Sequence, residues 1–157
     1  MLGLSRRSQQ KLVGLHPQLV IFVYELMNEM NTRKANNLNY TDFSVFEGLR
    51  TMKRQKELFS KGKSWTLNSN HLIGNAVDIV VYIPAVGVTW DDKKYSTQWN
   101  VLLKVAKHVI EKHELQIESG YSLWKMDKPH FQMRKTKTVK GILEYKSNFK
   151  YLRKFLY

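Results

Sequence analysis

The 157-residue chain contains no cysteine, which removes disulfides, thiolate metal sites and cysteine nucleophiles together. Any transition-metal site must therefore draw on imidazole and carboxylate ligands. Long apolar runs are missing as well. The most apolar one, residues 19–24, stops at Glu25 and is far shorter than the roughly 20 residues a membrane-crossing helix needs. The first fourteen residues carry Arg6, Arg7 and Lys11 without an apolar stretch before them, so no secretory signal is read there. The expectation is synthesis as a soluble cytoplasmic chain. Acids are scarce: 13 stand against 26 Lys and Arg, giving a formal net charge of +13. That charge attracts polyanions such as nucleic acid, anionic lipid or envelope polymers, without choosing among them.

The length suits one domain with a real core, and 43% apolar residues are ordinary for a globular chain. Leu19, Phe22, Val23, Leu26, Met27 and Met30 fall at three- and four-residue steps, which predicts an amphipathic helix over 17–30 starting at Pro17. Residues 31–39 read as a polar loop, 41–47 as a short strand, and 50–62 as a basic helix ending at Gly62. Residues 64–75 read as a loop. Residues 76–83 (AVDIVVYI) are β-branched and continuous, the mark of a buried strand, and Pro84 ends it. A second amphipathic helix is expected over 98–113, a turn at Ser119-Gly120, and a last strand over 130–133. Strands and helices mix without a regular βαβ alternation. The expected fold is α+β, a small, mostly antiparallel sheet flanked by helices.

Three residues stand out together. His71 lies in a loop just before the strand, Asp78 lies within that apolar strand, and His130 follows Asp127-Lys128-Pro129. An acid in such a strand is costly unless it is paired or bound to a cation. Two imidazoles and one carboxylate would fill three zinc positions and leave the fourth for water, whose pKa zinc lowers to about 7. Asp127 is the candidate general base, set three residues before His130 by a restricted turn. Glu118 is a rival base. Taken singly, each has a simpler reading: His71 as a polar loop residue, Asp78 as the partner of a basic side chain. His108 and His113 lie five apart on one helix, and His16 reads as a helix-start residue.

The string 69–78, SNHLIGNAVD, resembles the S-x-H-x-x-G-x-A-x-D signature of VanY-type D,D-carboxypeptidases and phage L-alanyl-D-glutamate endopeptidases. Asp127-Lys128-Pro129-His130-Phe131 resembles their D-x-P-H-F. Residues 42–51, DFSVFEGLRT, with Arg54-Gln55 beyond, resemble a third block, and residues 12–19 resemble the approach to the family's first helix. The resemblance spans roughly residues 4–133. It implies a fold like that of the D-Ala-D-Ala carboxypeptidases and the hedgehog signalling domain. It implies zinc held by His71, Asp78 and His130, with Asp127 as base and Arg50 as a substrate or oxyanion contact. Gln55, Ser69 and Tyr121 are weaker candidates for substrate binding. The chain departs from the pattern at 119–124 (SGYSLW), where relatives carry a W-G-G-like stretch, and at Gln132, where an acid is frequent.

These readings predict a zinc peptidase domain over 1–134, followed by a basic amphipathic extension over 135–157. From Arg134 onward eight Lys or Arg face one acid, Glu144, so an anionic envelope surface, lipid or lipopolysaccharide, is a candidate partner. The expected activity is that of a monomeric phage endolysin cutting peptidoglycan stem peptides, with L-alanyl-D-glutamate as the bond. The alternatives are a D-Ala-D-Ala carboxypeptidase and a non-catalytic, basic polyanion-binding module. No nucleic-acid motif supports a nucleic-acid partner.

Overall fold

The computed structural model describes residues 3–134, and the expected basic extension lies outside them. The elements run α1 (Arg6–Lys11), α2 (Pro17–Ala35), β1 (Asp42–Glu47), α3 (Met52–Ser60), a 3-10 turn (Asn70–Ile73), β2 (Ala76–Ile83), β3 (Gly87–Thr89), α4 (Ser96–Lys112), β4 (Ile117–Ser119), α5 (Gly120–Trp124) and β5 (His130–Met133). This is the α+β arrangement the patterns predict. All strand pairings are antiparallel. Strand order is β1-β2-β5-β4, with β3 folding back on the far end of β2.

β2 is the spine. Val77, Ile79 and Val81 are fully buried and share one face by the alternation of a strand. They join one cluster with Leu19, Phe22 and Leu26 of α2 and with Trp99, Leu102 and Val109 of α4. Phe131, opposite Val77 on β5, brings its ring centroid to 4.9 Å from that of Phe22. Removing these side chains from water drives the layer of helices onto one side of the sheet.

α2 begins where expected, with Pro17 at its first turn and His16 Nδ1 accepting from the Gln18 N–H at 3.2 Å. It then continues to Ala35, through five residues expected to be loop. Thr32 Oγ1 donates back to the Asn28 carbonyl, and the basic pair Arg33-Lys34 lies at the carbonyl end, where cations are favoured. The loop expected over 64–75 holds a 3-10 turn, and the Ser119-Gly120 turn opens α5. No helix among the described residues is long and apolar enough to cross a membrane.

Candidate metal centre

The face of the sheet turned away from α2 and α4 carries a row of polar residues on three adjacent strands. Glu47 on β1 pairs with Asp78 on β2, and Asp78 pairs with His130 on β5. Residues directly opposite in an antiparallel pair point to the same side. A bulge between Val45 and Glu47 makes this alignment possible, because Val45 pairs with Ile79 and the next pair is already Glu47 with Asp78. Phe46 is left over, and Glu47 is re-aimed at the site.

His71 arrives from the 3-10 turn. Ser69 caps that turn, its Oγ accepting from the His71 N–H at 3.3 Å. Gly74 closes it at φ +71°, a left-handed conformation that glycine adopts without strain. A Cβ there would also collide with the Gly14 carbonyl oxygen. The His71 ring is 2% exposed, with Nδ1 2.8 Å from the Gly48 carbonyl. A carbonyl only accepts, so Nδ1 carries the proton and Nε2 of the neutral ring offers a lone pair. Nε2 lies 3.2 Å from Asp78 Oδ1, and His130 Nδ1 lies 3.1 Å from the same oxygen.

One ligand atom from each of His71, Asp78 and His130 lies within 4.8 Å of the other two. Ligands at zinc distances of about 2.0–2.1 Å on a tetrahedron stand about 3.3–3.4 Å apart, close to the two shorter separations here. Three electron-rich atoms turned toward one point require a cation between them or protons on both rings. The donor set is the imidazole and carboxylate chemistry that suits zinc. Burial opposes the charge of Asp78, but the facing His71 and His130 rings override it and hold the carboxyl well below the ordinary carboxylate range. For His130, burial works against the charged ring, yet Asp78 outweighs it and raises the pKa.

Arg50 lies beside this cluster. Its backbone N–H donates to the His71 carbonyl at 2.9 Å. Nη2 donates to Glu47 Oε2 at 2.6 Å, Nη1 donates to Gln55 Oε1 at 2.8 Å, and Nη2 stands 3.6 Å from Asp78 Oδ2. Its Nε is buried and has no hydrogen-bond partner among the described residues. Gln55 is fully buried, and its Nε2 donates to Ser64 Oγ and the Thr66 carbonyl. The amide of Gln55 is thus spent on holding Arg50 and the loop that follows α3.

These groups open on a cleft of about 980 Å3. Arg50, His71, Asp78, Asp127, His130 and Ser69 all line it, as do Trp65, Trp90 and Trp124. Asp127 stands solvent-exposed at the rim. Partial desolvation raises its pKa above the ordinary aspartate value, with the negative Asp78 adding to the effect and the nearby cations opposing it. Gly120 gives this segment room, since a Cβ there would stand 2.6 Å from the Asp127 carbonyl oxygen and 3.1 Å from His130 Cβ. Tyr121 is exposed on α5, with Lys128 Nζ 5.8 Å from its ring centre, and is not among the cleft-lining residues. Glu118 also lies outside the cleft lining, its Oε1 accepting from Gln132 Nε2. The structure adds Glu47, the Gly48 carbonyl, Asn70 and Gln132 to the site. Glu47 and Gly48 fall inside the 42–51 block, a signal that they sit near the chemistry, but their contacts depend on the bulge and the long-range approach of His71.

Among known proteins, the family of phage L-alanyl-D-glutamate peptidases matches residues 1–142. No curated protein matches by sequence. Among solved structures, the L-Ala D-Glu endopeptidase ChiX of Serratia marcescens is 34% identical, with 82% of this chain and 86% of that one covered at a TM-score of 0.64. Two more remote likenesses are VanY peptidases. One, a D,D-pentapeptidase in complex with Zn(II), is 15% identical over 73% of this chain and 71% of that one, and its TM-score is 0.42. The other, bound to D-alanine-D-alanine, is 14% identical over 85% and 81%, also at 0.42. At those values neither bears on chemistry.

Proposed function

The chain belongs to the phage L-alanyl-D-glutamate peptidase family, and from that premise we propose that it hydrolyses the L-alanyl-D-glutamate amide of peptidoglycan stem peptides with zinc held by His71, Asp78 and His130. The observation that carries this reading is the convergence of three ligand atoms within 4.8 Å at the wall of the cleft. Zinc at such a site acidifies a water to a pKa of about 7 and polarises a carbonyl.

The protein's own groups do the rest. His71 is fixed as an Nε2 ligand by the Gly48 carbonyl. Asp127, at the rim of the same cleft, takes the proton of the attacking water on its carboxylate. As the C–N bond breaks, it delivers that proton to the departing D-glutamate amine, so charge and atoms balance. Arg50 brings a guanidinium to the carbonyl oxygen, where negative charge grows in the transition state. Glu47 and Gln55 hold that guanidinium in place, so Gln55 acts through Arg50. Ser69 acts through His71 by capping its turn. The aromatic wall of Trp65, Trp90 and Trp124 receives the rest of the wall fragment. The excess positive charge of residues 134–157 serves attachment to an anionic envelope surface, and the enzyme works on the wall after release from the cytoplasm.

Metal analysis and muropeptide mapping of one preparation test the reading. The expected result is a single zinc per chain and fragments with a new amino terminus on D-glutamate. Loss of terminal D-alanine alone would make the protein a carboxypeptidase. Zinc-loaded protein that leaves murein intact would make it a binding module.

A further inference from the structure

Next to the ligand cluster runs a second line of polar side chains with no task in the scheme above. Gln132 lies two residues beyond His130 on β5, therefore on the same face, and is only 7% exposed. Its Oε1 stands 3.1 Å from His130 Nε2 and accepts from Asn70 Nδ2 at 2.8 Å. Its Nε2 donates to Glu118 Oε1 at 2.9 Å, across a register that sets Glu118 directly opposite Gln132. A carboxylate accepts and does not donate, so Glu118 fixes which end of the amide points where. The amide nitrogen faces Glu118, and the oxygen faces His130 and Asn70. Both ring nitrogens of His130 face an oxygen, Nδ1 that of Asp78 and Nε2 that of Gln132. The Gln132 oxygen keeps a proton on Nε2, so that Nδ1 is the nitrogen free to exchange its proton for a cation shared with Asp78.

We infer that Gln132, held by Glu118 and Asn70, is the positioning residue that sets the tautomer and ring plane of His130 for zinc. The inference rests on the zinc reading above and goes beyond it. Asn70 belongs to the same 3-10 turn as His71, so the Asn70–Gln132–His130 chain also ties the two histidine ligands to each other. Glu118 has a structural task here, as the anchor of an amide. The neutral character of Gln132 matters as well. The cluster already gathers Glu47, Asp78 and Asp127, and an amide orients the ring without adding another negative charge to them.

The test measures zinc affinity of the full chain by competition with a chromophoric chelator, together with the visible spectrum of the cobalt(II)-loaded protein. Gln132→Leu is expected to weaken zinc binding by about 10- to 100-fold, the range for loss of a partner behind a metal ligand, and to shift the cobalt bands. Glu118→Gln still offers an acceptor oxygen and keeps zinc affinity near that of the parent, whereas Glu118→Leu follows Gln132→Leu. Should Gln132→Leu fail to fold, Glu118→Leu and Asn70→Ala make the same comparison from half-buried positions. Unchanged zinc affinity and superimposable cobalt spectra in the folded leucine variants overturn the inference and leave the zinc reading standing. A parent chain that takes up no zinc overturns both.

Discussion

At the scale of single residues, the site combines atoms that hold and atoms that react, and substitutions separate the two. Arg50 shows the point. Its planar fork reaches Glu47 with one arm and Gln55 with the other, which a lysine ammonium on a single stem cannot reproduce. Arg50→Lys is therefore expected to retain zinc while kcat/KM on muropeptides falls by about 10²–10³, the size of a lost transition-state donor. Steady-state kinetics with metal analysis of the same sample reads both, and a change of less than twofold would remove Arg50 from the chemistry. Asp127→Asn keeps the shape and discards the base. Zinc content and fold should persist while kcat drops by about 10²–10⁴, and normal cleavage by that variant would take Asp127 out of the reaction.

At the scale of elements, the site depends on three strands and a turn meeting in register. Gly74 is the tightest point of that meeting, at φ +71° and against the Gly14 carbonyl. Gly74→Ala should cost at least about 2 kcal/mol, combining the left-handed penalty with the collision, and should weaken zinc binding by moving the turn that carries His71. Urea denaturation and chelator competition measure the two effects, and parent-like values in both would mean that the turn tolerates the change. The same elements show what a sequence can reveal. β2 was legible because eight nearly continuous apolar residues allow little else, and Asp78 was legible because it interrupts them. α2 and α4 declared themselves by helical spacing. β3, β4, α1 and α5 are three to six residues long, too short for a period to emerge, and exist because neighbours supply their partners. Residues 31–35 looked like loop from composition, yet the helix ran on through local bonds and its favourable carbonyl end. His71, Asp78 and His130 were identifiable as a metal-type set. The work of Gln132 and Glu47 was not, since it arises from pairings that only the folded register creates.

At the scale of the molecule, the core and the site occupy opposite faces of one sheet. Burial of α2 and α4 against β2 does not need the ligands, so the metal-free chain is expected to stay folded and unfold in a single transition. Zinc adds stability by mass action, about 4 kcal/mol at a free concentration 1,000 times its dissociation constant. Chelation should therefore lower Tm by roughly 10 °C or more for a domain of this size, as calorimetry would show. Loss of all cooperative unfolding on chelation would mean that the ligands are part of the core. The charge, by contrast, is concentrated in one stretch, with eight Lys or Arg against Glu144 from residue 134 onward. Lys146, Lys150, Arg153 and Lys154 lie well past His130, the last of the ligands, so changing all four to Gln leaves the cleft residues in place while lowering net charge by four. Attraction of exposed charges to an anionic surface weakens with salt over a Debye length of about 8 Å at physiological ionic strength. The parent should bind vesicles containing anionic lipid, release them as salt rises, and ignore neutral vesicles. The quadruple variant, still strongly positive, should bind anionic vesicles several-fold more weakly and with a shallower salt dependence, with turnover of a small soluble muropeptide unchanged. Equal vesicle binding by the two proteins would show that these four charges give the chain no attraction to an anionic surface.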